Sequence, residues 1–300
     1  MLFCDLLSVI GRDEAMPTLT EIDRRHAVHY ETILGAIFEM YTFSGIMGVG
    51  LFEFYREHIL KAWSWAIDQS TRHMDAARLC ISFPLDRTEL FGLFLEPAQL
   101  LNQLQSSVAC AARQGDQKSL GRLLREMGDV HVLNGQVEQS LTCYLQSEKI
   151  CRETGDKEGE AMSLSGQGKA HTQLQDMEAA IERLESSLRI FQEIKMANGE
   201  ADALSSLGAA YLYLGLTEQA VSSYEQSLAI YRKIDNYKGE ALALCGLGDA
   251  RLAHGQLNEA NKLFEEALVL FRQLLDQHGE SRVLSSLSHA TLRANTAVKS

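Results

Sequence analysis

Proline is scarce, with only Pro17, Pro84 and Pro97 in 300 residues, so nothing prevents long uninterrupted helices. Positive charge is also short: 28 Lys and Arg stand against 40 Asp and Glu, a net charge of −12, and no basic run occurs. A nucleic-acid surface works by neutralising phosphates with Lys and Arg, so this balance argues against one. The six cysteines, Cys4, Cys80, Cys110, Cys143, Cys151 and Cys245, never fall in Cys-x-x-Cys spacing. That excludes the usual zinc spacing and predicts reduced thiols in a cytoplasmic chain. No Gly-x-x-x-x-Gly-Lys-Ser/Thr loop is present. The nearest string, Gly166-Gln167-Gly168-Lys169, lacks the first glycine, so nothing points to a nucleotide or any other cofactor.

No apolar run reads as a membrane span. Ile33 to Phe52 contains Glu39 and five potential breakers, Gly35, Ser44, Gly45, Gly48 and Gly50. It predicts two core helices joined by a loop over Thr42 to Gly50. Met1 to Gly11 is interrupted by Asp5 and has no basic start, which makes it a poor signal peptide.

What the chain has is a repeat. Gly128, Gly168, Gly208 and Gly248 recur every forty residues, as do Ala170, Ala210, Ala250 and Ala290. Ser140, Ala180, Ala220 and Ala260 form a small register, and Tyr144, Leu184, Tyr224 and Phe264 a large one. Ser147, Ser187, Ser227 and Ala267 are small again, and the pair Gly-Glu returns at 159/160, 199/200, 239/240 and 279/280. In the unit from Gly199, the spacing of Ala203, Leu204, Leu207 and Tyr211 gives one helical face, Gly215 ends it, and Ala220, Tyr224, Leu228 and Tyr231 give a second. Each unit is then an antiparallel helix pair that must stack on its neighbours to bury its open face. The expectation is an all-α solenoid of helix pairs.

Leu207, Gly208, Tyr211, Ala220, Tyr224 and Ser227 match the pattern Leu-Gly, aromatic, Ala, aromatic, small, which resembles the tetratricopeptide repeat (TPR). The usual unit has about 34 residues and often ends in Pro; here the unit is longer and that Pro is absent. The resemblance implies a right-handed superhelix that is a non-catalytic protein-interaction module.

The segment before the repeats is similar to something more particular. Arg24-Arg25-His26-Ala27-Val28-His29-Tyr30, Leu51-Phe52-Glu53 and Ala62-Trp63-Ser64-Trp65-Ala66 resemble the helices that precede the array in bacterial NB-ARC/STAND-type signalling ATPases. In that family these helices connect a nucleotide-binding motor to the repeats, and no motor is present here. The organisation expected is an irregular leader over 1–19, a helical segment over 20–82 beginning behind a Thr20 cap, and a degenerate repeat over 83–117. Four full repeats follow over 118–280, then a capping helix and frayed tail over 281–300.

No catalytic constellation ties together. His26 and His29 share a helix face, but two histidines do not make a metal site. Function is therefore sought on the inner wall, which the first helix of each pair lines. The resemblance places Arg122, Arg125 and Asp129 there, with Leu133, then Met162, Ser165, Lys169 and Gln173. Asp202, Ser205, Ala209 and Tyr213 follow, and then Leu242, Cys245, Asp249 and Ala253. The Arg pair suits bidentate carboxylate contacts. Chaperone-binding relatives hold a C-terminal carboxylate with a Lys/Asn clamp, but Asp129 and Gly166 occupy the Asn positions. Forty-residue peptide binders place Asn where this chain has Ser206, Ala209, Gly246 and Asp249.

The expected function is binding of a protein or peptide segment in this groove, as the sensor or scaffold part of a bacterial signalling system. The alternatives are a self-associating scaffold, a detached arm of a STAND ATPase and, more remotely, an enzyme with its site in the N-terminal helices.

Overall fold

Period-two alternation is missing from the sequence, and the computed structural model has no strand among the residues it describes, which are 18–43, 45–274 and 276–297. The helices are α1 (Leu19–Phe43), α2 (Gly45–Gln69), α3 (Met74–Ser82), α4 (Thr88–Gly92) and α5 (Pro97–Gln114). Then come the four pairs α6 (Gln117–Leu133) with α7 (Val137–Thr154), α8 (Lys157–Gln173) with α9 (Met177–Glu193), α10 (Ala197–Tyr213) with α11 (Thr217–Lys233), and α12 (Tyr237–Ala253) with α13 (Leu257–Gln273). α14 (Gln277–Ala297) closes the array. Consecutive helices pack on one another throughout the array, giving an α-solenoid. No described helix is long and apolar enough to cross a membrane.

The turns keep a period half that of the sequence. A residue with positive φ falls at Gly115, Gly135, Gly155, Gln175, Lys195, Gly215, Asp235 and Gly255, ending eight successive helices. At three of these places, Gln175, Lys195 and Asp235, the left-handed backbone is held by a residue with a Cβ, which disfavours it.

Two rungs explain the recurrent small residues. The Oγ atoms of Ser147, Ser187 and Ser227 donate to the carbonyls of Gly121, Ala161 and Ala201 at 2.6, 2.8 and 2.8 Å, tying the two helices of each pair. The Gly-Glu pair joins one repeat to the next. A Cβ at Gly159, Gly199, Gly239 or Gly279 would overlap Cys151, Phe191, Tyr231 or Phe271 of the preceding helix. The adjoining Glu160, Glu200, Glu240 and Glu280 accept from Arg152, Gln192, Arg232 and Arg272 at 2.8–3.1 Å. The glycine thus lets the new helix start against a large side chain, and the glutamate clips it there.

The large register has a finer pattern. The rings of Tyr144 and Tyr224 slot between the first helix of their own repeat, at Gly128 and Gly208, and that of the next, at Gly166 and Gly246. Where the large residue is Leu184 or Phe264, the corresponding place in the next repeat is Ser206 or Ser286.

Ahead of the array, α1 and α2 pack as a hairpin against α3–α5 around Leu34, Phe52, Trp63, Phe83 and Phe91. The loop expected over Thr42–Gly50 is not there, because α2 already begins at Gly45. Gly48 sits one turn into it and lies so close to the Tyr41 backbone that no Cβ would fit, so this glycine serves close packing at the joint rather than a loop. The first helix also starts earlier than expected. Thr18, not Thr20, caps it, with Oγ1 accepting from the Glu21 amide at 3.2 Å. At the far end α14 runs to Ala297. Of the leader expected over 1–19, residues 1–17 lie outside the described residues, as do the last three residues of the tail.

Candidate functional site

The first helices of the repeats carry one face inward, and a groove of about 160 Å³ opens on it across α6, α8 and α10. Five of the ten residues singled out from the sequence meet there: Arg125, Asp129, Met162, Lys169 and Asp202. Ser165, Gly166, Met196 and Asn198 line it with them. Gln173 and Tyr213 stand at the C-terminal ends of α8 and α10, and Tyr213 is 58% exposed. Leu242 and Asp249 lie farther along on α12, and Leu242 is exposed. Cys245, also placed on the wall by the resemblance, is fully buried, and Ser165 lines the groove with only 7% of its surface exposed.

The two arginines are not free to receive a ligand carboxylate. Arg125 is buried and pairs with Asp86 at 3.0 Å, Glu126 at 3.0 Å and Asp129 at 3.4 Å. Arg122 pairs with Asp156 at 3.0 Å, Asp86 at 3.3 Å and Glu158 at 3.6 Å. Burial raises the Asp156 carboxyl, but the Arg122 guanidinium and the Gly159 amide more than offset this and leave it below its ordinary value. The basic start of the wall is thus neutralised within the chain, and the carboxylate contacts that the Arg pair suits are made by Asp86, Glu126, Asp129, Asp156 and Glu158.

The carboxylates of the wall are engaged too. Asp129 accepts from the Tyr144 hydroxyl at 2.7 Å. Asp202 accepts from the Tyr231 hydroxyl and from Asn198. Asp249 accepts from Ser286 at 3.1 Å. Burial and these carboxylates hold the Tyr144 and Tyr231 phenols above their ordinary value, so both remain donors. Lys169, by contrast, is exposed and forms no ion pair among the described residues.

Sequence reasoning missed the first place of the inner face, occupied by Glu158, Asn198 and Lys238. Each lies four residues before a position already chosen, so the same helical spacing could have found them. It also missed Asp86 and Glu89, which lie outside the repeats and reach the wall from the α3–α5 region. The His26 ring lies tilted beside those of Tyr30 and His58, with centroids 4.5 and 5.7 Å away. Among the described residues no group of three His, Cys, Asp or Glu could hold a metal.

Comparison with solved structures returns the same architecture. The structure superposes on aspartyl phosphate phosphatase F from Bacillus subtilis with a TM-score of 0.64 at 10% identity, covering 93% of this chain and 82% of that one. A Rap protein complexed with competence and sporulation factor gives 0.63 at 13% identity, covering 92% and 87%. BtubC from P. vanneervenii gives 0.55 at 16% identity, covering 87% and 94%. No curated protein matches the sequence. The Tetratricopeptide repeat family profile matches residues 119–193 and 199–294, more than half of the molecule, and the chain belongs to that family.

Proposed function

We propose that the chain is a non-catalytic adaptor that holds a segment of a partner protein in the groove formed by α6, α8, α10 and α12. The observation that carries this reading is the convergence of Asp129, Met162, Lys169 and Asp202 on one cleft, where Lys169 forms no ion pair among the described residues. Gln173, Tyr213, Leu242 and Asp249 extend the contact surface along the array, and Arg122 and Arg125 shape it from within. A solved structure with this fold holds another molecule, the competence and sporulation factor. That supports a role in a bacterial signalling system, with the chain in the cytoplasm. The α1–α5 region, including a degenerate repeat over 83–117, then serves as the platform on which the array is mounted.

Photo-crosslinkers at Met162 and Tyr213 test the reading against a crosslinker at Leu145, exposed on the second helix of its repeat. A partner captured at the first two sites, absent at Leu145 and lost in Lys169→Glu, is the expected outcome. Capture at Leu145 alone would show that the groove is not the binding surface.

A second reading, self-association, draws on Met47 and Phe54, which are 55% and 76% exposed on α2. Light scattering on the purified chain decides it.

A further inference from the structure

Three successive first helices bring charges of alternating sign to one cleft: Asp129 from α6, Lys169 from α8 and Asp202 from α10. Both carboxylates stay anionic. Asp202 is held by neutral donors, the Tyr231 hydroxyl and the Asn198 amide. Asp129 takes the neutral Tyr144 hydroxyl on one oxygen and Arg125 at 3.4 Å on the other. Arg122 and Arg125 together face five carboxylates, Asp86, Glu126, Asp129, Asp156 and Glu158, so the two cations are outnumbered. The Asp129 side chain is 46% exposed, and each carboxylate has lone pairs left for a further donor. Lys169 is exposed between them and forms no ion pair among the described residues. The floor of the cleft is apolar: Met162, Phe191 and Met196 belong to one packed cluster and line it beside Asp202. An apolar floor with a carboxylate at its edge suits a side chain with a long aliphatic stem and a cationic head, and thioethers adapt their shape to such a stem.

We propose that the cleft reads an extended partner segment by the order of its charges: a base on Asp129, an acid on Lys169, and a second base on Asp202 whose stem lies over Met162 and Met196. The inference rests on the groove reading above and names the chemistry of its occupant. A uniformly acidic segment would meet repulsion at Asp129 and Asp202, and a uniformly basic one at Lys169, so the alternation selects against both. Helix geometry sets the spacing. Asp129 and Lys169 hold equivalent places forty residues apart. One step between packed helices, about 8–10 Å, separates them, which an extended chain spans in about three residues. Asp202 lies seven places before Ala209, the equivalent of Lys169 on α10. That adds about 10 Å along the helix axis to the second step, and the diagonal takes about four residues.

Selection from a phage-displayed library of random dodecapeptides on the purified full chain tests this. Enriched sequences should carry Lys or Arg, then Asp or Glu about three residues on, then Lys or Arg about four beyond, in one of the two chain directions. Fluorescence anisotropy of an enriched, fluorescein-labelled peptide should show binding weakened about fivefold in Lys169→Glu, the upper end of what an exposed ion pair supports. Changing the acid of the peptide to Lys should restore binding to Lys169→Glu and weaken binding to the parent. Asp202→Asn, which keeps an acceptor for Tyr231, should also weaken the original peptide about fivefold. Lys169 is exposed, so its melting curve should be unchanged. No enrichment, enriched peptides of one sign or of no charge, or a loss in Lys169→Glu that the altered peptide does not restore overturns the proposal. A partner crosslinked at Met162 and Tyr213 in spite of that result would keep the groove reading and discard the charge order. Capture at Leu145 alone would discard both.

Discussion

Gly246 offers a sharp test of how the repeats nest. It lies in the first helix of the fourth repeat, and a Cβ there would stand 2.5 Å from Cζ of Tyr224, which is 6% exposed. Neither the ring nor the helix backbone can yield by an ångström, so Gly246→Ala falls at the upper end of the overpacking range, about 3 kcal/mol. Alanine returns about 1 kcal/mol of helix propensity over glycine. The net expectation is a loss of about 2 kcal/mol, which at a urea slope of about 3 kcal/mol/M lowers the midpoint by about 0.7 M. The same substitution in a Tyr224→Leu background should stabilise by about 1 kcal/mol, because the ring is gone and only the propensity remains. A double-mutant cycle measured by urea unfolding should then give a coupling of about 3 kcal/mol. The chain already contains the relieved version, with Leu184 opposite Ser206. An additive cycle, or a Gly246→Ala variant as stable as the parent, would refute the account of ring against glycine.

Three further outcomes follow from the same geometry. Lys195→Gly and Asp235→Gly, at φ of 56° and 55°, should each raise stability by about 0.5–1 kcal/mol in thermal melts, as left-handed strain is removed and some glycine entropy is lost; a fall in Tm would contradict it. Ser227→Ala deletes the 2.8 Å bond to the Ala201 carbonyl and should cost about 1 kcal/mol, whereas Ala267→Ser, at the repeat lacking that hydroxyl, should gain up to about 1 kcal/mol; both are read by urea unfolding. Asp156 has its folded pKa depressed, so its share of stability is present above the unfolded carboxylate range and is lost as pH falls through the folded value. Arg122→Gln should therefore lower Tm at neutral pH and converge with the parent in acid, and a gap that stays constant with pH would show that Asp156 is not the source.

The array was legible because each forty-residue register position makes the same contact every time. Ser147, Ser187 and Ser227 bond the equivalent carbonyl, and the four Gly-Glu pairs meet the equivalent neighbours. The role of Gly-Glu was not legible, because its partner lies eight residues earlier, across a turn that pattern reading treats as a boundary. The joint between α1 and α2 was misread because glycine serves close packing and loops alike. Gly48 is there for the Tyr41 backbone, a contact local composition does not encode. Lys169 and Asp202, placed on the inner wall by the resemblance, line the cleft across α6, α8 and α10. Arg122 and Arg125 were placed the same way, yet their use is set by Asp86, which lies outside the four full repeats.

Tyr144 and Tyr224 meet glycine in the following unit, while the places that correspond by register after Leu184 and Phe264 hold Ser206 and Ser286. The molecule is therefore a chain of dimeric tiles whose edges alternate in shape. Excising one hairpin, residues 159–198, would splice the Tyr144 edge to Ser206 and jam the seam. Excising two, residues 159–238, would bring Tyr144 to Gly246 and let it close. Unequal crossover in the gene, or an engineer shortening the protein, should succeed in even steps and stumble at odd ones.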